Sequence, residues 1–208
     1  MQVCVGGVSS CIIRPAYGRI YVQHKMNSLL FFAVGSAFLV FVSRKTLLRL
    51  RSHGFYRFFA WECILALVVI NFPDWTTNPF TPQQIISWLF LLTSIFLVIH
   101  GVRLLRLIGK PNQNLPDNEL LCFEKTTRLV TVGAYKYIRH PLYSSLLFLA
   151  WGAFLKQPAS LPGLLLALIA SFFLVLTAKS DESECLLHFG EEYRIYMLET
   201  KRFVPFLF

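Results

Sequence analysis

The sequence predicts an all-α integral membrane protein, and three observations carry that expectation. Of the 208 residues, 55% are hydrophobic and only 15% are charged, with a mean hydropathy of +0.56. Soluble domains carry about a quarter charged residues and could not hide this much apolar surface. Five apolar segments approach the ~20 residues that a helix needs to cross a bilayer. Lys and Arg cluster in alternate connections between those segments, as cytoplasmic loops do. The composition excludes a disordered chain, a collagen-like repeat and a disulfide scaffold. A net charge of +9 reads here as basic loops beside anionic headgroups. Membrane lipids are therefore the expected partners, and nucleic acid is not.

Taken in order, residues 1–25 lack the charged, apolar and cleavage regions of a signal peptide. They read as an N-terminal lead, either disordered or translated from a start codon upstream of Met26. Span one covers residues 26–43 and begins at Met26. Span two covers 55–72, span three 82–101, span four 141–155 and span five 160–178. Span four is short, and Ser144, Ser145 and Gly152 leave little bulk along it, which suits close packing against other helices. Residues 156–159 alone join spans four and five, so these form a helical hairpin. Residues 109–118, GKPNQNLPDN, are the one linker-like stretch. All but four of the 20 basic residues (Arg14, Arg19, Lys25 and Lys156) fall after spans one, three or five. This distribution places the N-terminus outside and the C-terminus in the cytoplasm. No charge is expected at the middle of a span, Glu62 lying nearer an end. With no repeat pair either, a transporter is disfavoured.

The five cysteines, Cys4, Cys11, Cys63, Cys122 and Cys185, are scattered and never paired as C-x-x-C. They read as small apolar residues, and no metal site is expected. His100 and His188 are read as structural. None of the phosphate-loop, nucleophile-elbow or H-E-x-x-H motifs occurs.

Polar residues concentrate on either side of the hairpin. Residues 126–143 read TTRLVTVGAYKYIRHPLY, and residues 179–196 read KSDESECLLHFGEEYRIY. In the first block Pro141 fits the opening position of span four. The exposed N–H groups there, together with Arg139, suit a carboxylate. Tyr135, Tyr137 and Tyr143 bring phenol rings to the same end. An interfacial belt without function would look similar. In the second block Leu186, Leu187 and Phe189 give an apolar stripe, so a C-terminal interfacial helix is expected, with Gly190 as its cap. Glu184, Glu191 and Glu192 read as a solvated acidic cap.

The two blocks together resemble the isoprenylcysteine carboxyl methyltransferases and the related membrane phospholipid methyltransferases. The resemblance rests on Leu129-Val130-Thr131, Gly133, Tyr135, Arg139-His140-Pro141 and Tyr143 in the first block. In the second it rests on Asp181-Glu182, Phe189-Gly190-Glu191-Glu192-Tyr193, Tyr196 and the closing Arg202-Phe203-Val204-Pro205. It covers residues 126–208, with one helical hairpin between the blocks. Spans one to three agree only in being hydrophobic; with the apolar segments, the resemblance divides the chain into a lead at 1–25, spans one to three at 26–108, and a methyltransferase core at 109–208. The implied cofactor is S-adenosyl-L-methionine, held at the cytoplasmic face. The implied acceptor is a lipophilic small molecule or a prenylated or lipid group, with a carboxylate as nucleophile.

Carried over by position, Thr127, Arg128, Leu129, Val130, Tyr135, His140, Pro141, Tyr143 and Glu182 would hold the cofactor. Arg139, Glu182 and Lys179 would act in transfer. The chain departs from the family where an arginine usually precedes the acidic pair: Thr177 stands there, and Lys179 is the nearest cation. A phospholipid amine or a thiol is the alternative acceptor. A non-catalytic membrane module with the same fold is the alternative of a different class.

Overall fold

The computed structural model describes residues 13–110 and 126–205, with side chains from Met26 onwards. The described residues are helical and contain no strands. Helix α1 spans Ile13–Ser43, α2 His53–Ile70, α3 Pro82–Leu107, α4 Pro141–Phe154, α5 Leu161–Phe189 and α6 Glu191–Glu199. Four of these are long and apolar enough to cross a membrane, as Met26–Ser43, His53–Ile70, Pro82–Leu107 and Leu161–Phe189. The expected fourth span, α4, is an apolar helix of only 14 residues.

Helix starts follow local chemistry. Ser52 accepts from the N–H of Phe55, Thr81 from that of Gln84, and Ser160 from that of Gly163. Each hydroxyl satisfies a first-turn donor that has no partner within its helix. Pro82, Pro141 and Pro162 stand in first turns, where a missing N–H costs nothing.

Three expectations change, and one falls mostly outside the described residues. Helix α1 begins at Ile13, so residues 13–25 continue the helix upstream of Met26, while residues 1–12 lie outside the described residues. The linker-like stretch lies outside them from residue 111 to 118. The segment after span five is not a separate interfacial helix: α5 runs unbroken to Phe189. The chain turns at Gly190, whose φ of 60° and ψ of −130° favour glycine, and α6 follows. Glu62 lies near the middle of α2 rather than at an end, and the Ser36 hydroxyl of α1 donates to it at 2.9 Å.

Helix α5 packs chiefly along α2, and α4 chiefly along α3, while α4 and α5 also touch as a hairpin. Alanines mark the crossings. Ala150 and Ala153 of α4 and Ala167 and Ala170 of α5 are fully buried with Ile64 and Leu67 of α2. Small side chains let backbones approach, which is how helices associate where apolar burial alone offers little. Gly152 shows the same logic: a β-carbon there would come within 3.0 Å of Leu91. Helix α1 touches mainly α2, and only 6% of its apolar window is buried, against 33% for α5. A second cluster, Ala60, Tyr143, Leu174, Ala178 and Phe203, closes the end of the bundle where the polar segments meet.

Candidate functional site

The segment before α4 is pinned from both sides. The main-chain N–H groups of Thr127 and Arg128 donate to the Gly109 carbonyl at 2.9 and 3.3 Å, just beyond α3. Gly133 then opens a 3₁₀ turn over Gly133–Lys136 with φ of 62°. A β-carbon there would meet His100 Nε2 and Leu104 Cδ1 at 2.7 Å each, so both the conformation and the space call for glycine. The Ala134 N–H donates to His100 Nε2 at 3.4 Å. Tyr135 is buried, and its carbonyl accepts from the Tyr196 hydroxyl of α6 at 2.6 Å.

The tail after α6 returns beside this segment. The Lys201 N–H donates to the Tyr137 carbonyl, the Arg139 N–H to the Lys201 carbonyl, and the His140 N–H to the Arg202 carbonyl. The Ser144 hydroxyl of α4 donates to the Phe203 carbonyl at 2.8 Å. Residues 200–203 thus strap the start of the hairpin.

Around Glu182 of α5 these pieces form a buried ion knot. Arg139 Nε donates to Glu182 Oε1 at 3.0 Å, and Arg139 Nη1 donates to the carbonyls of Met197 and Thr200. Arg202 is bidentate on Glu182, at 3.0 Å to Oε1 and 2.7 Å to Oε2. His140 places Nε2 3.4 Å from Glu182 Oε1 and Nδ1 3.4 Å from Asp181 Oδ2, and its ring stacks on Tyr143 at 5.3 Å. With His140 neutral, two guanidinium groups face two carboxylates. Burial alone would lower the His140 pKa, but Asp181 and Glu182 outweigh it and hold the imidazole above its ordinary value. Arg202 is likewise held above its ordinary value by Glu182. Burial pushes the Tyr193 and Tyr196 phenols up, so both are neutral donors.

The structure brings Arg139, His140, Pro141, Tyr143 and Glu182 together, and Val130 and Tyr135 lie buried in the adjoining segment. Thr127, Arg128 and Lys179 are exposed and Leu129 is half-buried. Thr177, in place of the family's arginine, is fully buried, and its hydroxyl donates to the Phe173 carbonyl. The charge of Arg139, expected to face a ligand carboxylate, is directed at Glu182. Glu191 and Glu192 are exposed as expected. Glu184 is not a solvated cap: it accepts from the main chain and the ring of His53.

Sequence reasoning gave no role to Arg202, Thr200 or His53. Arg202 had a signal, its place in the closing block. Thr200 and His53 had none, because their partners are distant in the chain.

The donor set fits an adenosyl-sulfonium cofactor in part. His140 Nε2 is buried, and its contact with Glu182 Oε1, at 3.4 Å, falls short of a well-formed hydrogen bond. A nitrogen so loosely held is one that a bound polar group could engage.

Two similar proteins carry names. Over 121 residues, 57% of the chain, it is 28% identical to methanethiol S-methyltransferase 1 of Bradyrhizobium diazoefficiens. Over 126 residues, 59% of the chain, it is 22% identical to the methanethiol S-methyltransferase of Crocosphaera subtropica. The aligned stretches span 39% and 44% of those relatives, about two fifths of their length. No protein-family model and no solved structure matches the chain. At low identity, and over part of their length, the chain is thus similar to proteins named methanethiol S-methyltransferase.

Proposed function

We propose that the chain is an S-adenosyl-L-methionine-dependent methyltransferase embedded in a membrane, and that its acceptor is a lipophilic thiol. The ion knot at the hairpin entrance is the observation that carries this reading. It unites the two sequence blocks on which the family resemblance rests, and the similar proteins are named thiol methyltransferases. His140, Tyr135, Tyr143 and the Leu129–Val130 segment would hold the cofactor. Glu182 would act through them, since both its oxygens are already taken by arginines. The cofactor supplies an electrophilic methyl group on a sulfonium. This chain's part is to position, to exclude water and to handle the acceptor's proton.

A thiol is favoured over a carboxylate by charge. A carboxylate acceptor needs a cation aimed at it, but Arg139 and Arg202 both bind Glu182, Thr177 is neutral, and Lys179 is exposed. Isoprenylcysteine-type carboxyl O-transfer is therefore the second reading, resting on the family resemblance. The basic loops place the site, in this proposal, at the cytoplasmic face, with the N-terminus outside. Residues 109–208 form its core.

Calorimetry of purified protein in detergent tests the proposal. Wild type binds S-adenosyl-L-methionine, His140→Ala weakens binding at least tenfold, and labelled methyl passes to an alkanethiol. A well-folded wild type that does not bind the cofactor overturns it.

A further inference from the structure

His53 opens α2, and Glu184 lies near the C-terminal end of α5. Glu184 Oε2 sits 2.6 Å from His53 Nδ1, and Oε1 accepts the His53 main-chain N–H at 3.2 Å. The Ser180 hydroxyl lies 3.4 Å from the same Oε1. This carboxylate is fixed, and it fixes the ring: the Nδ1 proton points at Glu184 and the lone pair stays on Nε2. His53 is 1% exposed, yet Nε2 has no hydrogen-bond partner among the described residues. A buried acceptor without a donor is costly and rare.

The pair adjoins the ion knot. Ligating atoms of His53, Asp181 and Glu184 lie within 4.8 Å of one another, and Asp181 in turn reaches His140. The charged groups facing His53 are Asp181 and Glu184 on α5 and Arg57 on its own helix. A carboxylate that orients a histidine whose other, buried nitrogen carries no partner is the arrangement of a general base.

We infer that His53, oriented by Glu184, is the base that takes the acceptor's proton. This rests on the thiol reading above. A carboxylate acceptor has no proton to lose, whereas even the cysteine thiol, with a pKa of ~8.5, is mostly protonated at neutral pH, and a simple alkanethiol is less acidic still. The S–H bond breaks and its proton goes to Nε2, leaving the electron pair on sulfur. Glu184 and Asp181 stabilise the imidazolium. The sulfur pair forms the new S–CH₃ bond while the methyl's bond to the sulfonium breaks with its pair, and Nε2 later returns its proton to water.

The test uses the full chain in detergent, with decanethiol and with thiophenol, an aromatic thiol ionised at the assay pH. With decanethiol, His53→Gln loses about 10²–10⁴-fold in kcat, the range of general-base catalysis. With the pre-ionised thiol it loses less than tenfold. Binding of decanethiol gives an ultraviolet thiolate band in wild type and none in His53→Gln, a readout that needs no turnover. Equal losses on both thiols, in a variant that keeps its Tm and cofactor binding, overturn the inference. So does a wild type without the thiolate band. If His53→Gln does not fold, Glu184→Gln must show the same discrimination between thiols, and its absence is equally fatal. A wild type that forms the thiolate but methylates neither thiol removes the acceptor reading and leaves the proton acceptor standing.

Discussion

Replacing Glu182 by Gln keeps the shape of the ion knot and removes its central charge. Glu182 Oε1 takes Arg139 and Arg202 at 3.0 Å each, and Oε2 takes Arg202 at 2.7 Å. The side chains of Glu182, Arg139 and Arg202 are 6%, 9% and 20% exposed, so solvent screens them little. Removing one partner of such a buried pair costs about 3–5 kcal/mol, because the remaining charges stay desolvated. In a chain of this size 1 kcal/mol corresponds to about 2–4 °C. Glu182→Gln should therefore lower Tm by about 6–20 °C, read by tryptophan fluorescence in detergent. Arg139 keeps the carbonyls of Met197 and Thr200, which places the expected loss towards the lower end. The double variant Glu182→Gln/Arg202→Gln should be more stable than the sum of the single changes predicts, by about 0.5–3 kcal/mol. A single-variant Tm within about 2 °C of wild type, or a strictly additive cycle, would show that the knot's charges are not coupled as drawn.

Further expectations follow from individual residues. Gly133→Ala combines positive φ with a collision against His100 and Leu104. It should cost at least about 1–2 kcal/mol in Tm measurements, and an unchanged midpoint would mean the turn relaxes freely. His140 is held above its ordinary pKa of 6.5, so its contribution is complete below that value and is lost as pH rises through the folded-state pKa. The Tm of wild type should fall over that rise, relative to a His140→Gln variant, and parallel curves would contradict the assignment. Lys179→Ala removes an exposed cation. It should leave thiol methylation within about twofold and stability within ~0.5 kcal/mol, whereas a large loss of activity would return the carboxylate reading.

The fold was legible because its signal is local. Starts at Pro82 and Pro141 were set by proline and polar neighbours, and hydrophobic runs marked the cores of α1 to α5. The errors arose where a local signal changes without the backbone changing. Residues 179–189 turn polar, yet α5 continues, since Lys, Asp, Glu and Leu do not break a helix. Residues 13–25 lack span-like hydropathy yet belong to α1, with Pro15 in its first turn, where a missing N–H costs nothing. For the site, the motif blocks carried Arg139, His140, Tyr143 and Glu182 to one place. What they could not carry was pairing. Glu182 was read as a direct contact to the cofactor because nothing local showed that two arginines reach it, one 43 and one 20 residues away. His53 and Glu184, 131 residues apart, became visible only when α2 and α5 were packed.

The shortness of α4 sets a requirement that its neighbours meet. Fourteen residues rise about 21 Å, against an apolar core of about 30 Å. A lone helix of that length would leave carbonyls at hydrocarbon depth without partners. Longer neighbours supply donors instead. Ser87 Oγ donates to the Gly152 carbonyl at 2.7 Å and Asn71 Nδ2 to that of Ala153 at 2.8 Å. Gln83 Nε2 donates to the Leu155 carbonyl at 2.7 Å and Gln84 Nε2 to that of Lys156 at 3.3 Å. At the other end the tail strap and the ion knot play the same part. Asn71→Leu tests this directly, since Asn71 is fully buried. It removes the side-chain bond to the Ala153 carbonyl, which keeps the Lys156 N–H at 3.3 Å, at a cost towards the lower end of about 1–3 kcal/mol, while the loss of the unpartnered Asn71 Oδ1 offsets part of that. The net expectation is a Tm lowered by several degrees, with Thr93→Val on the same bundle as a control whose hydroxyl serves only its own helix. If Asn71→Leu is as stable as that control, the carbonyls of α4 do not depend on their neighbours, and a recessed helix held by side-chain donors is the wrong account of how the site is set into the bundle.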